Sequence, residues 1–349
     1  LEGKLILENG LVFEGRAFGY LHDSVGEVVF NTAMSGYQEI LTDPSYQGQI
    51  VIMTYPAIGN YGVNLRDMQS SSSKIKGVIV RELCANPSNY RYEIKLQDYL
   101  KQNKVIGIEN IDTRQLVKII RSIGTMKGII TTKKLTINQI NNMFDNFTNK
   151  DAVQKVTTNK VYTIDGSGSH VAVLDFGIKT GILDSFRKRG CKLTVFPANA
   201  SSDEILKVNP DLIFLSNGPG DPKDLTKAIE NIKTLAINKP ICGICLGHQL
   251  LAIALGGETK KLKFGHRGCN HPVKDLENNR VYITSQNHGY FVEKLPDEMV
   301  ATHLSMNDST IEGMRHIKLP IYSVQFHPEA YPGPRDSDGV FDKFLSMIK

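Results

Sequence analysis

From residue 170 onward, short apolar runs alternate with helix-patterned stretches, and this constrains the fold more than any other feature of the chain. Val171-Ala-Val-Leu174 is followed by a glycine-containing turn and a helical stretch from Ile182 to Arg189, which Gly190 is placed to stop. Next come Leu193 to Phe196, a short helix near Asp203 to Val208, and the run Leu212-Ile-Phe-Leu215. A helix from about Leu225 to Ile237 leads into Pro240-Ile241-Cys242-Gly243-Ile244-Cys245, and a further helix puts Leu246, Leu250 and Ile253 on one face. Buried strands alternating with helices predict an α/β domain built on an open, mostly parallel sheet with right-handed crossovers. From Glu258 to Gln325 the texture changes to strands and turns, an antiparallel addition, before a closing helix from about Ser337.

With 349 residues the chain is long enough for two domains and a sizeable core. Its 41 basic and 36 acidic residues give a net charge of only +5, without a dense basic stripe, so no nucleic-acid partner is expected. The longest apolar stretch, around Leu250 to Leu255, is far short of the roughly 18 residues of a membrane span. No basic-then-apolar signal opens the sequence, and a first residue of Leu1 rather than Met points to processing at that end. Five sparsely placed cysteines argue against a disulfide framework, so a cytoplasmic location is expected.

The polar stretch 151–169, ending Asp165-Gly-Ser-Gly-Ser169, reads as a linker between domains at 1–150 and 170–349. The first domain is a mixed, strand-rich one. Lys4 to Phe13 alternates around Asn9-Gly10 as a hairpin would. Glu27 to Asn31, Gln49 to Thr54 and Gly77 to Val80 read as strands, and Tyr92 to Gln102 and Thr113 to Ile123 as helices.

Chemistry concentrates at Gly243-Ile-Cys245-Leu-Gly247-His-Gln249, on the junction of an apolar strand and an apolar-faced helix. Small residues on both sides of a nucleophile permit the sharp turn of a nucleophile elbow. The unpaired N–H groups of a helix start favour a thiolate and can stabilise an oxyanion. Three other readings stand beside this one. Cys245 could be a small buried hydrophobe. Cys242 and Cys245 could form a redox pair, although Cys242 lies inside the apolar strand, facing away from the turn. A zinc site from Cys242, Cys245, Cys269 and His271 lacks a completing ligand pair. Among nine histidines His327 stands out, because it follows the strand Ile321 to Phe326 and heads His327-Pro-Glu329, where Glu329 can fix its tautomer. Ser216-Asn-Gly-Pro-Gly-Asp-Pro222 follows a strand directly and is either a bland turn or a loop whose backbone approaches a ligand. No nucleotide-binding glycine motif occurs anywhere in the chain.

Taken together, Asn217-Gly-Pro-Gly-Asp-Pro222, Gly243-Ile-Cys-Leu-Gly-His-Gln249 and His327-Pro-Glu329 resemble the three marks of class I glutamine amidotransferases, in order. Gly26-Glu-Val-Val-Phe-Asn-Thr32, Gly36 to Tyr46 and Tyr55 to Asn64 resemble the N-terminal domain of the carbamoyl-phosphate synthase small-chain family. Phe264-Gly-His-Arg-Gly268, Ser285 to Tyr290 and Tyr331 to Asp338 are similar to that family too.

The resemblance implies a Cys245-His327-Glu329 triad that releases ammonia from L-glutamine through a γ-glutamyl thioester. It implies an oxyanion hole from the N–H groups of Gly218 and Leu246, and glutamine held by Ser45, Gly218, Gly220, Leu246, Gln249, Asn287, Gly289 and Tyr290. It also implies a large-subunit partner, which receives the ammonia and carries the ATP and divalent metal. This chain is then expected to hold no cofactor or metal of its own. The product serves arginine and pyrimidine synthesis. Tyr290 stands where many members carry Phe, and Cys269, a spare thiol, where a small residue is common. Two competing expectations are a catalytically silent structural subunit, against which the intact triad argues, and a free-standing glutaminase, which has no use for the N-terminal domain.

Overall fold

A computed structural model describes residues 1–348, which fall into two compact units, the first Leu1–Asn149 and the second beginning at Lys150. None of the described helices is long and apolar enough to cross a membrane.

The first unit is a closed barrel. Its strands run, in hydrogen-bonded order, Glu2–Leu7, Val12–Gly19, Ile106–Glu109, Gly77–Ile79, Gln49–Met53, Ser24–Asn31 and Met126–Thr131, which pairs back onto the first. Leu5, Val28, Ile50, Ile108 and Ile130 on these strands are fully buried. The Asn9-Gly10 hairpin forms as the sequence predicts, with Gly10 at φ +86°. Helix Thr113–Ile123 also forms as expected, capped by the Asp112 carboxylate and ended by Gly124 at φ +119°. The expected helix at 92–102 is shorter, Leu96–Gln102, because Ile94 is drawn into a bridge with Val63.

The second unit is a ten-stranded sheet. Its order is Tyr162–Ile164, Lys192–Pro197, His170–Asp175, Leu212–Leu215, Ile241–Ile244, Ile321–Val324, Ile311–His316, Val281–Lys294, Glu258–Asp275 and Met299–Ser305. The five strands from 192–197 to 321–324 are parallel, and the rest are antiparallel. Alternate residues of the parallel strands serve two apolar cores. Ala172, Leu174, Ile213, Leu215 and Ile241 join helices Ser202–Lys207, Thr226–Asn238 and Leu246–Ala254 on one face. Val171, Val173, Phe214, Cys242 and Ile244 pack with helices Thr180–Lys188 and Val340–Leu345 on the other. Covering both faces is what makes these strands continuous apolar runs.

The segment 151–169 is a correction to the linker reading. Val153 is buried in the first of these cores, Tyr162–Ile164 adds an edge strand, and Thr158 N–H donates to the Asp175 carboxylate at 2.7 Å. Its glycines serve close approach, not flexibility: a Cβ on Gly166 would collide with the Cys191 carbonyl, and Gly168 N–H donates to Gly190 O at 2.8 Å.

At the end of strand Ile241–Ile244 the chain turns sharply into helix Leu246–Ala254. A Cβ on Gly243 would lie 2.7 Å from the Gly247 carbonyl carbon, and one on Gly247 would collide with the Leu215 carbonyl oxygen. The two glycines therefore let strand, turn and helix pack backbone to backbone. Gly247→Ala is expected to destabilise the protein by at least about 1–3 kcal/mol, because the neighbour is main chain and cannot rotate away; a lowered urea midpoint with unchanged slope is the measurement.

Candidate active site

Cys245 occupies the turn at φ +55°, ψ −105°, a conformation that residues with a side chain rarely adopt. The surroundings hold it there: Cys245 N–H donates to Val324 O at 2.9 Å and Gly247 N–H to Ser216 O at 3.0 Å. The thiol is buried and donates toward the Asn287 carbonyl oxygen at 3.5 Å.

His327 follows the adjacent parallel strand, and its N–H donates to Ser285 O at 2.9 Å. Its ring Nδ1 lies 2.7 Å from Glu329 Oε1. Nε2 has no partner of strict hydrogen-bond geometry, yet the Cys245 thiol is close enough to favour the protonated ring. The carboxylate on Nδ1 and the thiol beside Nε2 define a chain Glu329–His327–Cys245.

Sequence reasoning missed Lys179. Its Nζ, almost fully buried, lies 2.8 Å from the same Glu329 Oε1 and donates to Ala330 O at 2.6 Å. Burial alone would push Glu329 up; the Lys179 charge and then the His327 ring outweigh it and bring the carboxyl down to about 2. Burial alone would push His327 down, but the Glu329 charge and the Cys245 contact outweigh it, and the ring rises to about 10 despite Lys179. The sequence signal for Lys179 is only a lysine placed just beyond the strand His170–Asp175, at the sheet's carboxyl end.

The remaining predicted residues lie as follows. Gly218 abuts the turn: a Cβ there would sit 2.8 Å from the Leu246 side chain and collide with the Phe176 carbonyl. Leu246 opens the helix, so its N–H lacks an intrahelical acceptor. Gly220, at φ +94°, belongs to the same loop as Gly218. Gln249 donates from Nε2 to Tyr290 O at 2.8 Å and Gln325 Oε1 at 3.0 Å, tying the helix to the strand that carries Asn287, Gly289 and Tyr290. Ser45 lies in the first unit, buried in the short helical turn Pro44–Tyr46, with its N–H on the Asp43 carboxylate.

Cys242 is fully buried in the apolar core that helices Thr180–Lys188 and Val340–Leu345 cover, and burial pushes its thiol well above the ordinary range, which argues against the redox reading. The zinc set weighed from sequence does not gather; among the described residues the group with metal-holding spacing is His266, His288 and Glu312.

Residues 172–347 match the model of the class-I glutamine amidotransferases, and residues 5–130 that of the carbamoyl-phosphate synthase small chain, CPSase domain. The chain is 62% identical over 345 residues to a carbamoyl phosphate synthase small chain from Clostridium perfringens, covering 99% of each. It is 49% identical to the pyrimidine-specific small chain from Bacillus subtilis, over 100% of this chain and 96% of that one. Among solved structures, a glutamine amidotransferase from Thermotoga maritima covers 47% of this chain and 77% of its own at 20% identity, with a TM-score of 0.39.

The shifted groups fix a pH window. His327, raised from 6.5 to about 10, contributes stability that is complete below pH 6.5 and is lost as pH rises toward 10. Glu329, lowered from 4.5 to about 2, contributes stability that is complete above pH 4.5 and is lost as pH falls toward 2. The pair is therefore most stabilising between pH 4.5 and 6.5. In Glu329→Gln the His327 pKa, read by NMR, is expected to fall steeply, and unfolding free energy loses this part of its pH dependence.

Proposed function

The chain belongs to the carbamoyl-phosphate synthase small-chain family and is the glutamine-hydrolysing amidotransferase subunit of that ligase, and from this premise we propose that Cys245, His327 and Glu329 are its catalytic triad. The observation that carries the assignment is the Cys245 turn, strained at φ +55° beside a histidine whose far nitrogen is 2.7 Å from a buried carboxylate. A strained, fixed nucleophile next to an oriented base is what covalent catalysis requires.

In this mechanism Cys245 Sγ attacks the side-chain amide carbon of L-glutamine while His327 holds the thiol proton. The tetrahedral oxyanion accepts hydrogen bonds from the N–H groups of Gly218 and Leu246. His327 then protonates the leaving nitrogen, ammonia departs, and a γ-glutamyl thioester remains on Cys245. Water, deprotonated by His327, attacks the thioester and releases glutamate. Glu329 acts by holding Nδ1 and stabilising the imidazolium, and Lys179 by keeping Glu329 ionised inside the protein. Gly220, Gln249, Asn287, Gly289 and Tyr290 hold the substrate.

The partner is the large subunit. It receives the ammonia and binds the ATP and divalent metal used to make carbamoyl phosphate from bicarbonate. The family serves arginine and pyrimidine synthesis, and a cytoplasmic location suits that role. The sequence lacks a phosphate-binding glycine motif, which supports this division of labour.

Ammonia release from glutamine, by the wild type and by Cys245→Ser, each with and without the large subunit, tests the assignment. The expected result is release that needs Cys245 and rises with the partner, while Cys245→Ser still folds and binds glutamine. Release without partner dependence supports a free glutaminase instead. No release from a protein that still binds the large subunit supports a structural one.

A further inference from the structure

Outside the triad, three neighbouring strands of the antiparallel half aim polar side chains at one buried point. His266 and His288 are direct cross-strand partners with ring centroids 5.0 Å apart, and Glu312 comes from the strand Ile311–His316. All three are buried, Glu312 completely. The outward nitrogens of both rings are anchored: His288 Nδ1 lies 2.7 Å from Tyr290 O, and His266 Nε2 lies 2.8 Å from the Asp308 carboxylate. Carbonyl and carboxylate oxygens only accept, so each outward nitrogen carries the proton. In the neutral rings, the inward nitrogens therefore present lone pairs.

Those lone pairs meet another acceptor. Glu312 Oε1 makes no hydrogen bond, and stands 3.5 Å from His266 Nδ1 and 3.9 Å from His288 Nε2. Gln286 Oε1 lies 3.0 Å from His288 Nε2 and adds a fourth acceptor. Four acceptors in a dry interior repel one another unless a cation joins them: burial disfavours a proton on His266, but the Glu312 and Asp308 carboxylates outweigh it, and a metal ion would take that proton's place. The separations exceed hydrogen bonds, but suit a bridging ion: bonds of about 2.0–2.1 Å to a tetrahedral centre place ligands about 3.3 Å apart. Histidines anchored through the outer nitrogen to a carboxylate or backbone carbonyl are the usual supporting arrangement of metal-ligating rings.

We propose that His266 Nδ1, His288 Nε2, Glu312 Oε1 and Gln286 Oε1 form a structural site for a divalent zinc-class ion. Two imidazoles and two oxygens suit zinc, and a closed, buried donor set is the structural rather than the catalytic kind. The Asp308 carboxylate behind His266 adds negative charge to that of Glu312, against the guanidinium of Arg267.

The test uses the full chain carrying Cys84→Ser and Cys269→Ser, which removes the two half-buried thiols that compete for a soft metal. The protein is stripped with chelator, reloaded with zinc alone, desalted and assayed for bound metal, with thermal unfolding followed in parallel. One zinc per chain and a zinc-dependent rise in Tm are expected. Adding Glu312→Gln, close in size, is expected to cut retention at least about tenfold and abolish the rise in Tm. Cobalt in place of zinc is expected to give intense visible bands of a tetrahedral centre. This spectrum decides the matter on the parent chain if Glu312→Gln does not fold. A parent that retains no zinc, equal retention in both proteins, or an octahedral cobalt spectrum would overturn the proposal.

Discussion

A carboxylate sealed inside a protein must be paired or neutralised, and the second unit depends on how Glu329 is paired. One oxygen, Oε1, faces both the Lys179 ammonium at 2.8 Å and the His327 ring at 2.7 Å. Lys179 keeps the carboxylate ionised, the ionised carboxylate keeps the ring protonated, and the ring's other nitrogen is turned to Cys245. Because all three groups are buried, this chain of charges has little competition from water, and its strength sets the protonation of the site. Removing Glu329 would leave the Lys179 ammonium and the His327 ring together without a counter-charge, so the carboxylate is as structural as it is electrostatic.

The covalent geometry meets this charge chain at the elbow. Cys245 is held at a positive φ by main-chain bonds to two neighbouring strand ends, Val324 and Ser216. Such strain persists only where the surroundings over-determine it. Gly243 and Gly247 supply that condition, since their missing side chains let the helix start press against the end of strand Leu212–Leu215. The loop bearing Gly218 is brought against the Leu246 side chain by the same packing.

What the sequence revealed follows from range. The parallel sheet was legible because each strand and helix carries its own period, and both sheet faces are covered. The elbow and His327-Pro-Glu329 were legible because each is a contiguous motif. Lys179 was not, because a lysine shows its burial only through a partner 150 residues away. His266, His288 and Glu312 escaped for the same reason, being joined by strand pairing alone. The barrel of the first unit depends on closure between the strands 2–7 and 126–131, which no local pattern reports. The stretch 151–169 misled because Gly and Ser mark tight backbone packing as well as flexibility; here Gly166 and Gly168 lie against residues 190–191.

The two halves of the sheet divide the work and are joined at the site. The parallel half supplies Lys179, Gly218, Cys245 and His327, all at or just beyond strand ends. The antiparallel half supplies Asn287, Gly289 and Tyr290. Besides the ladder between strands Ile311–His316 and Ile321–Val324, three contacts join one half to the other around Cys245: Cys245 Sγ to Asn287 O, Gln249 Nε2 to Tyr290 O, and His327 N–H to Ser285 O. Each ends on a backbone carbonyl of the strand Val281–Lys294, so the register between the Cys245 turn and that strand is independent of the side chains the strand carries. The main chain at 285, 287 and 290 therefore keeps its distance from Cys245 and Gln249 whichever side chains it carries. A tyrosine at 290 is accommodated in the same way, since the contact to Gln249 uses its carbonyl oxygen and not its ring.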